Sequence, residues 1–217
     1  MGPTSIFLTI MGGVIGAAAL AGVVGAVVEI KGDERKRRRL LPKEKLERFE
    51  KEIATFIADH DMMNTLQNTE LLEHLAKAMG VEILYGDIPD DLYAHKDIAT
   101  YSVDGHMRIH VRWDLKKDYA RQLIAYELAK LIQYDDIMHG RDTLLSNVEY
   151  ADQEYIYKYV ARTLLLPMNL FIVDLKSRGF FTKKTNREHL IEWIADKYRV
   201  KQGIVIDRLF DYETLEQ

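Results

Sequence analysis

The stretch Tyr126-Glu127-Leu128-Ala129-Lys130 places a phenol, a carboxylate and an ammonium on successive turns of a segment with helical periodicity. Residues four apart share a helix face, so Tyr126 and Lys130 lie together, while Glu127 and Lys130 pair at i+3. A carboxylate in such a place could act as a general base, but only if something makes its target proton easy to remove. With no metal to acidify a water, Glu127 reads as a helix-surface carboxylate whose pair with Lys130 is worth only ~0.2–0.5 kcal/mol. Asp135, Asp136 and His139 offer a second cluster with i, i+4 spacing. Gly140 follows directly and the stretch reads as loop, so no metal site is expected there. His106 and His110 fall on one face of one strand, which a surface hairpin explains. Tyr150, Tyr155, Tyr157 and Tyr159 form no single stripe; only 155 and 159 pair at i+4, and core and rim packing is the expected role. The chain has no cysteine, so any metal would need His, Asp or Glu ligands.

Those residues must be positioned by a mixed set of elements. Leu46, Phe49, Ile53 and Phe56 give residues 40–60 the spacing of an amphipathic helix, and residues 69–79 repeat the pattern before Gly80. Residues 81–85 predict a short strand. The alternating runs 98–103 and 107–113, with Asp104-Gly105 between them, predict a hairpin. Residues 117–134 form the clearest helix, striped by Ala120, Leu123, Ile124, Leu128, Leu131 and Ile132. Further helices are expected over 149–166, stopped by Pro167, and over 168–178, 186–198 and 201–210. The sum is an α+β domain, a small sheet surrounded by helices.

Residues 5–28 differ in kind. They are 24 uncharged residues rich in Ile, Leu, Val, Ala and Gly, long enough as a helix to cross a hydrocarbon core of about 30 Å. A cleaved signal is disfavoured, since nothing basic precedes the run, and Ile6 stands where a myristoylation signal needs Ser or Thr. No Lys or Arg precedes the segment, whereas Lys31, Arg35, Lys36, Arg37, Arg38, Arg39, Lys43 and Lys45 follow it. The expected arrangement is a single-pass membrane protein with its N-terminus outside and its C-terminal domain cytoplasmic. In it Arg35, Lys36, Arg37, Arg38 and Arg39 meet anionic lipid. Gly12, Gly16 and Gly22 place small residues at helical spacing, an opening for self-association in the bilayer. The division expected is a transmembrane helix over 5–28, a basic juxtamembrane linker and helix start over 29–48, and a domain over 49–217. Residues 1–48 carry nine basic and five acidic residues, a net of +4; the remainder carries 21 and 29, a net of −8. An acidic domain argues against nucleic acid as a partner.

The order of parts from Gly80 onward resembles the ImmA/IrrE family of zinc metallopeptidases. The resemblance rests on residues 81–85, Gly86-Asp87-Ile88-Pro89-Asp90-Asp91, the hairpin 98–113, the helix containing Arg121 to Lys130, and Leu164-Leu165-Leu166-Pro167. It spans about residues 65–210 and implies a zincin-like fold. It also implies an H-E-x-x-H motif on the central helix, in which two imidazoles hold zinc and the glutamate activates water. This chain has Tyr126-Glu127-Leu128-Ala129-Lys130 instead, and only Glu127 matches. Tyr126 and Lys130 are thus degenerate ligand positions, and Glu127 is a vestigial general-base position. The family's third acid would fall in the region of Glu149, Asp152 and Glu154. Tyr is a poor ligand at neutral pH and Lys offers a cation, so no metal and no cofactor is expected. One sharper reading puts the Lys130 ammonium where the family keeps its metal, offsetting the same acids.

The resemblance therefore implies a membrane-anchored, catalytically inactive metallopeptidase-like protein that acts by binding another protein. Since such peptidases resemble regulators acting on repressors, a repressor-like or mobile-element protein is the implied partner class. The alternatives are an active metallo-endopeptidase with an atypical zinc site and Glu127 as base, and a structural component of a membrane or virion.

Overall fold

A computed structural model describes residues 42–59, 70–89, 97–138, 150–180 and 186–216. The segment 5–28, the basic run 35–39 and the glycines 12, 16 and 22 lie outside the described residues, as does Glu149. Residues 41–217 form one compact unit. Its elements are α1 (Lys43–Asp59), α2 (Glu70–Ala78), β1 (Val81–Gly86), β2 (Ile98–Val103), β3 (His106–Arg112), α3 (Lys117–Met138), α4 (Tyr150–Leu165), α5 (Met168–Ser177), α6 (Arg187–Tyr198) and α7 (Gln202–Glu216). The α+β expectation is met by this mostly helical set around a three-stranded sheet.

Each boundary has a local cause. Gly80 ends α2 at φ +70, a left-handed conformation that costs glycine least, and its amide bonds back to the Lys77 carbonyl. Asp104 and Gly105 both take positive φ, the pairing that lets a two-residue turn match the twist of β2 and β3. Asn186 caps α6 by accepting from the Glu188 amide. Pro167 separates α4 from α5, which turn by 60° across it. Among the described residues no single helix is long and apolar enough to cross a membrane. Two boundaries differ from expectation. Helix α3 runs to Met138, so Asp135 and Asp136 lie on helix rather than loop, and α7 continues to Glu216. Leu46, placed in the linker by sequence reading, is already core.

The sheet order is β1-β3-β2, with β1 parallel and β2 antiparallel to the central β3. Val81, Ile98, Ile109 and Val111 bury one face, against which α3 packs. Helix α4 covers α3 from the other side. A helix covered on two sides must be apolar most of the way round, and α3 buries Ile124, Ala125, Leu128 and Ala129. Helix α1 closes the core against α4, α5 and α7.

That closure contains charge. Arg208 is fully buried, with Nη1 2.8 Å from Glu50 Oε1 and Nε donating to the Leu166 carbonyl at 2.9 Å. Glu50 also accepts the Tyr159 hydroxyl (2.8 Å) and the Thr163 hydroxyl (2.9 Å). Asp211 accepts two bonds from Arg162, each 3.1 Å. Burial alone would lower the Arg208 pKa, but Glu50 beside it more than offsets that and holds the guanidinium charged. Helices α1, α4 and α7 are thereby joined by one network.

Candidate functional site

The side chains singled out on α3 meet partners from β2 and α4. Thr100 lies on the core-facing side of β2, and its hydroxyl donates to Glu127 Oε2 at 2.8 Å. The Lys130 ammonium lies 2.7 Å from the same oxygen. Glu127 is only 6% exposed, so the expected surface carboxylate is corrected: sheet and helix enclose it. The i+3 spacing was legible, but burial came from β2 crossing over α3, which no local pattern reports. Lys130 is 40% exposed along its side chain and reaches in from the solvent side, its ammonium 5.3 Å above the Tyr126 ring.

Tyr126 turns the other way. Its hydroxyl donates to Glu154 on α4, and its ring meets Tyr157 edge-on at 6.3 Å. Lys158, one turn beyond Glu154, adds an ammonium at 3.2 Å. Burial pushes the Tyr126 phenol well above its ordinary pKa, and the bond to Glu154 raises it further. At Glu154 partial burial acts upward, but the Tyr126 hydroxyl, the Lys158 contact and the charges of Lys158 and Lys130 outweigh it. The carboxyl is held below the usual range. Lys130 therefore acts on both acids, by contact on Glu127 and by charge on Glu154.

The donor set does not suit zinc. A ligand must offer a lone pair, yet Tyr126 holds its proton tightly against Glu154 and Lys130 is a donor engaged with Glu127. Among the described residues no group of three or more His, Asp and Glu side chains is arranged to hold a metal. Of the other acids on α4, Asp152 is half-buried, two residues before Glu154. Ile156, two residues beyond it, is core. Tyr155 and Tyr159 are buried, as their i+4 pairing suggested.

Sequence reasoning missed Thr100 and Lys158. Lys158 carried a signal, its i+4 spacing from Glu154; Thr100 carried none, because a strand's alternation shows its face and not its partner. His110 lies half-buried on the outer face of β3, its Nδ1 3.4 Å from the Tyr101 hydroxyl. It fits there because Gly86 on β1 lacks a side chain: a Cβ would come within 3.0 Å of His110 Nε2.

Among solved structures, the chain is similar to a Mycobacterium tuberculosis transcriptional regulator, with a TM-score of 0.54 and 16% identity. The match covers 77% of this chain and 47% of that one, so the chain spans about half of that protein's length. Likeness at that identity shows the fold alone. No family model and no curated protein matches the chain.

Proposed function

We propose that this chain is a membrane-tethered, ImmA/IrrE-like domain whose peptidase site is closed by its own side chains and which works by binding another protein. One observation carries the reading: at the position of the family's metal-binding motif, the Lys130 ammonium sits 2.7 Å from the buried Glu127 carboxylate, and the Tyr126 hydroxyl donates a hydrogen bond to Glu154. A general base needs a free lone pair facing a water or substrate. Glu127 Oε2 instead serves Thr100 and Lys130 together. With Glu127 enclosed and paired to an ammonium, and with Tyr126 and Lys130 offering no lone pair to zinc, the reading leaves the domain to recognition rather than hydrolysis. A repressor-like partner is what the resemblance implies. The length of the 24-residue apolar segment and the basic run after it support a domain on the cytoplasmic side of a bilayer.

Metal analysis of the purified full-length chain, paired with Tyr126→His/Lys130→His, tests this. Wild type should hold far less than one zinc per chain and show no change in melting temperature with chelator. The double variant, with Glu154 in reach as a third acid, should gain zinc. Stoichiometric zinc in wild type would sink the proposal in favour of an active peptidase.

A further inference from the structure

Helix α1 lies in the domain as an amphipathic helix lies in a receptor groove. Its stripe of Leu46, Phe49, Ile53 and Ile57 is buried against α4, α5 and α7, and Glu50 belongs to the same stripe. Five donors from those three helices converge on that carboxylate: Arg208 Nη1 and Nη2 (2.8 and 2.9 Å), the Tyr159 and Thr163 hydroxyls, and the Met168 amide at 3.3 Å. Pro167, at the N-cap of α5, has no side chain able to cap, so the carboxylate of α1 meets the open amide end of α5. A buried ion pair often adds no net stability over apolar residues of the same volume, and its best-attested use is to fix register and partner. The groove therefore selects what enters it. An entering helix needs a carboxylate with apolar residues four and one before it and three and seven after it, the pattern that α1 presents.

Helix α1 also holds together by itself. Lys43 with Glu47 and Arg48 with Glu52 are ion pairs internal to it, and they travel with the helix wherever it sits. Residues 60–69 join it to α2, ten residues that reach at most ~36 Å when extended. The helix itself is only ~25 Å long. That length of connection lets α1 seat on its own domain or on an adjacent copy. Seated on a second copy it makes the same contacts, so local concentration decides between the two arrangements.

We propose that two copies of this chain exchange α1, the groove of α4, α5 and α7 in each receiving the helix and the Glu50 carboxylate of the other. This goes beyond the closed-peptidase reading and does not depend on it. A membrane tether adds only local concentration, and the α3–α4 site takes no part.

Charge reversal in trans, with full-length chains in detergent, provides the test. Glu50→Arg and Arg208→Glu each put like charges in the seat, and each should be recovered poorly when expressed alone. Coexpressed with different tags they should copurify one to one, because exchange puts opposite charges together in both seats. The cis variant Glu50→Arg/Arg208→Glu shows whether a reversed seat is tolerated; if it folds and the two single variants do not copurify, the proposal is overturned. A second measurement leaves the charges in place. Wild-type chains with two different tags, purified separately and mixed, should swap subunits slowly. Thr163→Val, which removes one donor to Glu50, should speed the swap about tenfold. A monomeric wild-type chain overturns the proposal. So do equal rates for wild type and Thr163→Val, since a dimer held elsewhere does not feel the seat.

Discussion

Glu127 shows how far a single residue's meaning depends on what lies above it. Its spacing from Lys130 suggested a solvated pair worth a few tenths of a kcal/mol, yet the carboxylate is enclosed while the ammonium remains partly in water. Lys130→Met should therefore cost about 1–3 kcal/mol in urea denaturation, below the ~3–5 kcal/mol of a fully buried pair and above an exposed one. Lys130→Arg should recover much of the loss, and a neutral Lys130→Met would make Lys130 an ordinary surface lysine. Tyr126→Phe tests the second contact through its pH dependence. Because the Glu154 carboxyl is held below its ordinary value of 4.5 in the folded state, the stability it contributes is present above that value and is lost as pH falls through the lower folded value. Tyr126→Phe should cost about 0.5–1.5 kcal/mol at pH 7, and the gap to wild type should narrow as pH is lowered from 5 towards 3. A gap that is constant across that range would mean the hydroxyl does not act on Glu154.

Helices α1, α4 and α7 are joined by charge as well as by apolar packing, and the two respond differently to change. Arg208 is completely buried and answers Glu50, with Asp211 3.4 Å away. Arg208→Met should cost ~3–5 kcal/mol, because Glu50 would be left charged and buried with only neutral partners, the Tyr159 and Thr163 hydroxyls and the Met168 amide. The pair Glu50→Leu/Arg208→Met should be closer to wild type than Arg208→Met alone, since removing both charges also removes the desolvation penalty. A double variant as unstable as the sum of the singles would mean the two groups are not coupled. Only a double-mutant cycle read by thermal denaturation separates these outcomes.

The whole molecule is a compact unit over residues 41–217 preceded by an apolar segment and a basic run. A piece starting at residue 41 should unfold in one cooperative transition, because Leu46, Phe49, Ile53 and Ile57 bring α1 inside the same core. Protease added to intact cells should leave that unit uncut if the basic run faces the cytoplasm. Its digestion while cytoplasmic controls survive would reverse the orientation. The net charge of −8 over residues 49–217 disfavours nonspecific binding to the phosphate backbone of nucleic acid.

Local chemistry was legible along the chain. Alternation marked β2 and β3, Asp104-Gly105 marked the hairpin, Gly80 and Pro167 marked helix ends, and 3.6-residue stripes marked the helices, since each depends on neighbours in sequence. That residues 126 and 130 are Tyr and Lys rather than a pair of zinc-binding imidazoles was equally plain. What tertiary structure decided was every relation between distant residues. It set β1 parallel beside β3, brought Thr100 over Glu127, aimed Tyr126 at Glu154 across two helices, and enclosed Arg208 with Glu50 from 158 positions earlier. A lysine or glutamate carries the same charge on a surface or in a core. The packing of other elements settles which it is, and with that settles whether the charge contributes tenths of a kcal/mol or several.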